Sequence, residues 1–335
     1  MHVRFPPARS GWPDGCVPGR EVEVGTLVPH AMARLRLELT RLDAWLLLMT
    51  FFWGSNFTVI KTALVELPGP AFNGLRMLLA AALFLALMAR QGPIIRSVRA
   101  IPRRDWLPIL WLAFVGHGVY QYLFLGGVSR TSVTNSSLIF GCTPITVGLL
   151  SAWLGHERLA WNRWAGAAVS LIGIYLVVSS GATTRTASLT GDLMMFGAML
   201  CWALYTVGTK PLLSRYAPFF ITGLTLAIGT VMYAPLALLW LRDVDVTAVS
   251  PAAWGGIVYS AAFSLVAAYA IWYTAVQKLG GSRTSIYSNV VPVVAMSIAA
   301  LVLREPLGIV RIVGAAAVLG GVALSRVEVK TPEPS

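Results

Sequence analysis

Ten apolar runs dominate the chain, at residues 44–64, 70–89, 106–126, 132–154, 164–180, 192–210, 218–241, 252–276, 282–303 and 307–324. Each comes close to the roughly 20 apolar residues that a helix needs to cross the hydrocarbon core of a bilayer. One soluble core could not absorb so many. Charged residues make up 12% of the chain, about half the roughly 25% of a soluble domain. Lipid is therefore the expected solvent. Only segments that satisfy their own backbone can span it, so the expected fold is an all-α polytopic membrane protein with ten transmembrane helices.

The net charge of +12 would suggest a nucleic-acid partner in a soluble protein, but here the basic residues flank the apolar runs. With the chain started inside, nineteen of the 26 Lys and Arg fall on the inner side. Seven fall outside or just within the outer boundary: Lys61, Arg76, Arg130, Arg185, Arg242, Arg304 and Arg311. The positive-inside rule then places both termini in the cytoplasm. Ten spans return the chain to its starting side, and no nucleic acid is implied. Residues 1–41 are expected to form a cytoplasmic tail, and 327–335 another. The stretch "RFPPARSGWPDGCVPG" lacks an apolar h-region, so it is neither a signal peptide nor a span. Residues 1–31 read as disordered, or as lying ahead of a start at Met32. Cys16, Cys142 and Cys201 have neither disulfide nor metal spacing.

An internal repeat organises the runs. Asp43, Trp53 and Lys61 recur 149 residues later as Asp192, Trp202 and Lys210. Pro144, Glu157, Leu159, Arg163 and Gly166 recur 148 residues later as Pro292, Glu305, Leu307, Arg311 and Gly314. Each copy holds five spans. Five is odd, so the second copy enters the membrane from the opposite face, as in secondary transporters whose solute site lies near the midplane between inverted halves.

Two copies that open with a Trp-to-Lys helix and close with P-(x)12-E-x-L-x-x-x-R-x-x-G resemble the drug/metabolite transporter superfamily, in its EamA-type branch. "WGSNFTVIK", "FNGLRMLLAAALFLAL" and "LREPLGIVRIVGAAAVLGGVAL" carry most of the likeness. The resemblance implies repeats at 42–181 and 190–326 around a central cavity. It implies an exporter or permease whose relatives carry amino acids (aromatic ones among them), other metabolites, drugs or nucleotide sugars.

Polar residues at mid-span mark the cavity candidates. Trp53, Ser55 and Asn56 lie near the middle of the first span, and Trp202 and Tyr205 near the middle of the sixth. In "WLAFVGHGVYQYLF", Trp111, Phe114, His117 and Gln121 share a broad face at helical spacing. His117 and Gln121 each cost free energy in hydrocarbon unless paired, and packing is the more common role of a lone His. "YSAAFSLVAAYAIWY" contributes Tyr259, Phe263 and Ser264, and "SRTSIYSNVVP" contributes Tyr287 and Asn289. Aromatic and small polar groups together suit an amphiphilic solute. Pro144 and Pro292 are expected to kink the fourth and ninth spans and to free the carbonyls of Phe140 and Ser288.

Charges supply the gating candidates. Lys61 and Arg76 lie toward the outer ends of their spans with Glu66 between them, and Lys210 lies toward the inner end of the sixth. Snorkelling to the headgroups is the bland reading; an outer cluster that gates or attracts anionic solutes is the sharper one. Asp43, Asp192, Glu157 and Glu305 suit helix N-termini. Gly166, Gly173, Gly314 and Gly321 make faces for close helix packing, within the fold or in a dimer.

No nucleotide-binding loop, metal cluster or cofactor motif is present, and no acid stands at a span centre. The expected function is secondary transport, with the lipid bilayer and a small-molecule solute as partners and a monomer as the sufficient unit. An intramembrane enzyme would require paired acids or an activated nucleophile. A scaffold would not require a duplicated polar midplane.

Overall fold

The computed structural model describes residues 41–153, 161–181, 188–279, 287–288 and 290–324. Regular structure among them is entirely helical. The first long helices are α1 (Arg41–Ala63) and α2 (Gly69–Gln91), followed by the short α3 (Ile94–Arg99). Next come α4 (Arg103–Ala113), a π-helical turn (Phe114–Val119) and α5 (Tyr120–Arg130) on one line. α6 (Val133–Gly141), α7 (Thr143–Trp153) and α8 (Trp161–Gly181) follow. Beyond them lie α9 (Leu189–Leu213), α10 (Pro218–Leu241), α11 (Pro251–Tyr259), a second π-helical turn (Ser260–Ala267) and α12 (Ala268–Leu279). α13 (Val290–Val302) and α14 (Ile309–Leu324) close the described chain.

Among the described residues six helices are long and apolar enough to cross a membrane: Gly69–Gln91, Arg103–Arg130, Val133–Leu150, Leu189–Leu213, Pro218–Leu241 and Pro251–Ala275. Three shorter apolar helices accompany them. Large apolar side chains such as Leu78, Ile172 and Val231 are exposed along their flanks, as lipid-facing residues are.

The two halves of the sequence interleave. α1 packs along α13, α2 along α10, α5 along α9, and α8 along α14. The last pair meets through glycines. A Cβ on Gly173 would stand 2.7 Å from the Gly314 carbonyl oxygen, and one on Gly321 would stand 2.5 Å from that of Gly166. Ser170 Oγ adds a bond to the Val318 carbonyl at 3.1 Å. The glycine faces thus serve packing within the fold, where small residues let backbones approach closely.

Pro144 divides its span. α6 ends at Gly141, α7 begins at Thr143, and the Phe140 carbonyl is taken by Thr143 Oγ1 at 2.5 Å. Pro292 stands likewise in a first helical turn, as the third residue of α13 where Pro144 is the second of α7; the N–H that each lacks has no partner in that turn. The Ser288 carbonyl accepts from Val291 N at 3.2 Å. A turn at Ser288 precedes α13 as one at Cys142 precedes α7, and α13 packs on α6 where a Cβ on Gly141 would lie 2.7 Å from Pro292 Cγ.

Gly320 and Gly321 are neighbours with opposite surroundings, since a Cβ on Gly320 would meet nothing within 4 Å. Gly321→Ala is expected to destabilise the purified protein by about 1–3 kcal/mol through overpacking. Gly320→Ala should be neutral or stabilising by up to about 1 kcal/mol through helix propensity. Denaturant titration of the two variants side by side checks the contrast.

Candidate functional site

Arg76 on α2 is a buried charge, 2% exposed. Its Nε donates to Asn73 Oδ1 at 2.8 Å, one helical turn back. Nη1 donates to Ser260 Oγ at 2.8 Å and Nη2 to Gln121 Oε1 at 2.6 Å. Asn73, Gln121 and Ser260 are themselves fully buried. Three segments, α2, α5 and the second π turn, are thus fastened to one guanidinium. Tyr120, Tyr233 and Tyr269 are its electrostatic neighbours, and the Phe72 ring lies 5.9 Å beneath it.

Aromatic rings form the adjoining wall. Trp202 is central, with ring centroids at 5.3 Å from Tyr120, 5.7 Å from Tyr205 and 5.7 Å from Tyr269. Trp53 reaches the same Tyr269 at 6.2 Å and Trp272 at 5.5 Å. Its indole Nε1 donates to the Ser264 carbonyl at 3.0 Å, while Ser264 Oγ donates to the Phe52 carbonyl at 3.1 Å. Ser55 Oγ and Tyr259 Oη are 2.6 Å apart. π turns leave carbonyls out of the regular ladder and recur at functional sites. Here such a turn supplies Ser260 and Ser264 to α2 and α1.

The first π turn redirects the face predicted for "WLAFVGHGVYQYLF". Its extra residue per turn advances the side chains beyond it, so His117 and Gln121 are fully buried while Trp111 is 60% exposed and Phe114 47%. Trp111 is therefore corrected from cavity wall to outer surface. Phe263, 42% exposed beside Phe52 at 5.1 Å, is corrected likewise. His117 is a packed residue. Its Nε2 lies 3.3 Å from Thr225 Oγ1, its ring meets Tyr205 edge-on at 5.2 Å, and a Cβ on Gly229 would lie 2.3 Å from its own Cβ. Thr225 Oγ1 also lies 3.0 Å from Tyr205 Oη.

Three buried polar atoms here have no partner among the described residues: Gln121 Nε2, His117 Nδ1 and Asn56 Oδ1. Tyr287 lies apart from the wall, its hydroxyl donating to Asp43 Oδ1. Asn289 and Glu157 lie outside the described residues. Asn73, Tyr120, Thr225, Ser260 and Tyr269 complete the site but were not predicted as members. Asn73 had a signal in its i, i+3 spacing from Arg76.

Arg76 neither snorkels nor joins Lys61 and Glu66, which corrects the expected outer charge cluster. Lys61 Nζ instead donates to the carbonyls of Val128, Ser129 and Thr131 at 2.8, 3.2 and 2.6 Å, closing the C-terminal end of α5. A cation is favourable there. Glu305 closes the N-terminus of α6, accepting from Val133 N at 2.7 Å, Thr134 N at 3.1 Å and Thr134 Oγ1 at 2.8 Å. It is aimed by Arg304, whose φ of 54° turns the chain after α13. Asp192 accepts from Thr131 Oγ1 at 2.6 Å and Asn135 Nδ2 at 3.1 Å. Two helices, α1 and α9, and the loop after α13 thus latch one α5–α6 turn. On the same face Glu66 accepts from Ser250 N and Oγ, both at 2.7 Å. These bonds hold its carboxyl below the usual carboxylate range.

Lys210 is exposed near the end of α9, toward the opposite face. Between α2, α10 and α12 a recess of about 270 Å³ is lined by Gln91, Pro218, Phe219, Ala270, Tyr273 and Thr274. Tyr273 stands 6.3 Å from Tyr269, so the recess adjoins the aromatic wall.

Removing one latch group should loosen that face. Glu305→Ala is expected to cost about 0.5–2 kcal/mol, the range for losing an N-cap. Hydrogen exchange at Val133 and Thr134 should speed up while that of α8 and α14 stays unchanged. Equal exchange at Val133 in variant and parent would contradict the latch.

Compared with known proteins, the chain matches the model of the EamA-like transporter family over residues 40–179 and again over 189–327. A Bacillus subtilis protein named uncharacterized transporter YyaM is 28% identical over 300 residues, 88% of this chain and 97% of its own. A probable terminal-alkyne amino-acid exporter of Streptantibioticus cattleyicolor is 28% identical over 281 residues, 84% of this chain and 92% of its own. A solved crystal structure superposes with a TM-score of 0.61 at 17% identity, over 85% of this chain and 96% of that one, a likeness of fold alone.

Proposed function

Because this chain belongs to the EamA-like transporter family, we propose that it exports amino acids and related small metabolites across the inner membrane by alternating access. The observation that carries this reading is the polar node of Arg76, Asn73, Gln121 and Ser260, wholly buried beside aromatic rings. Such groups are costly in an apolar bundle and mark solute pathways. A membrane scaffold has no use for them. The amino-acid exporter among the relatives favours the same cargo.

The account takes the two matched segments as inverted five-span halves, ten spans in all, with both termini cytoplasmic. Reciprocal contacts support it. The π turn of the first half is held by α9 and α10, through Tyr205 and Thr225. The π turn of the second half is held by α1 and α2, through Trp53 and Arg76. Trp202 stands 149 residues on from Trp53, and Thr225 stands 149 residues on from Arg76. One half thus presents a guanidinium where the other presents a hydroxyl. The helix ends are braced reciprocally as well. Glu66 holds the start of α11 on the Lys61 face. Asp105, at the start of α4, accepts from Arg215 Nη1 at 2.5 Å and Tyr216 Oη at 2.6 Å on the other.

In this orientation the latch of Lys61, Glu305 and Asp192 shuts the outer face, and the recess at Tyr273 opens inward. Cytoplasmic solute would enter there. Counterflow in proteoliposomes tests the function with labelled Phe, Trp, Thr and Met, nucleobases and a cationic drug. The expected result is saturable, protein-dependent exchange of at least one amino acid without ATP. No protein-dependent flux across the whole panel would sink the proposal.

A further inference from the structure

Among the described residues no carboxylate forms an ion pair with Arg76. None of the chain's 14 acidic residues lies at the centre of a span. Asp43, Asp105 and Asp192 stand in the first turns of α1, α4 and α9, and each carboxylate accepts a hydrogen bond there. Glu66 and Glu305 are taken up by helix N-termini on the Lys61 face. A guanidinium has five N–H donors, and three of them go to neutral oxygens.

Gln121 extends the donor set. Its Oε1 must face the donating Nη2 at 2.6 Å, which fixes the amide orientation and sends Nε2 elsewhere. That nitrogen is fully buried and has no partner among the described residues. A charge buried without a counter-ion, next to an unsatisfied donor, is strongly disfavoured. It persists where the missing partner arrives with a ligand.

We propose that the counter-ion of Arg76 is the solute itself: a carboxylate bound between the guanidinium and the Gln121 amide. The planar fork of an Arg suits a carboxylate in two-point contact. One positive charge matches a monoanion and leaves a phosphate dianion half-compensated. The solute's apolar part then lies against Tyr120 and Tyr269 beside the node and Trp202, which stacks on both. No acid reaches the node to require an ammonium group, so the carboxylate is the obligatory handle and the α-amino group is dispensable. This inference rests on the transporter reading and narrows its cargo to apolar, chiefly aromatic, carboxylic acids, amino acids included.

The test uses the purified full-length chain in detergent at fixed chloride, with thermal unfolding as the readout. The probes are 3-phenylpropionate, 3-phenylpropionamide and phenethylamine. The acid should stabilise the protein with an apparent Kd about tenfold or more below those of the amide and the amine, the loss expected for a charged hydrogen bond. Arg76→Gln should abolish the advantage of the acid. An acid no better than its amide in the parent protein, including no shift with any probe, overturns the proposal. So does an advantage that survives Arg76→Gln. If that variant does not fold, the order of the probes on the parent still decides. Acid preference without flux in the counterflow panel would refute the transporter reading alone. Flux inhibited equally by acid and amide would refute this inference alone.

Discussion

The bonds from Arg76 to Asn73, Gln121 and Ser260 join three segments around a charge that lipid would not accept. Much else in the bundle follows from keeping that charge in place. α2 must lie close against α10, which a Cβ on Gly74 standing 2.3 Å from Ala237 Cβ makes plain. Ser260 must point inward, which the second π turn arranges. Tyr120 and Tyr269 complete the enclosure and connect it to Trp202. The partners of the guanidinium are neutral, so they solvate the charge without cancelling it.

Around this node the structure divides its labour. The α8–α14 seam is held by backbone approach at glycines and by hydrogen bonds from Ser170 and Asn162 to the Val318 and Leu324 carbonyls. It behaves as a fixed strut. The α5–α6 turn is held by charged side chains acting on helix ends, from Lys61, Glu305 and Asp192. Such contacts can be exchanged for water at modest cost once the face opens, because helix termini are readily solvated. A rigid seam and an exchangeable latch are the two kinds of contact that alternating access requires.

The all-helical, membrane-spanning character of the chain was legible in the sequence. Hydropathy located the apolar helices because lipid leaves so little latitude in length and composition. The seven-residue spacing of Gly166 and Gly173, and of Gly314 and Gly321, marked the α8–α14 seam. The site was legible only in part. Trp53, Ser55, Gln121, Trp202 and Tyr205 stood out as polar or aromatic residues at mid-span, and all five lie in or beside the node and its wall. Trp111 precedes one π turn and Phe263 lies within the other, and a constant helical period cannot show that change of phase. The sequence sets Arg76 at the headgroups or in an outer charge cluster, because depth along one helix says nothing of the neighbours. Its partners stand 45 and 184 residues away in the chain, apart from the adjacent Asn73. Pro292 repeats Pro144 in place as well as in sequence, each in the first turn of a helix that follows a turn.

The central claim is that Arg76 lacks an internal counter-ion and takes one from its solute. Gln121→Glu tests this most directly, because it sets a carboxylate 2.6 Å from Nη2 with almost no change in shape. The account predicts a protein with a higher melting temperature than the parent and no uptake of carboxylate solutes in proteoliposomes. A Gln121→Glu protein that transports the same solutes with unchanged affinity would contradict it.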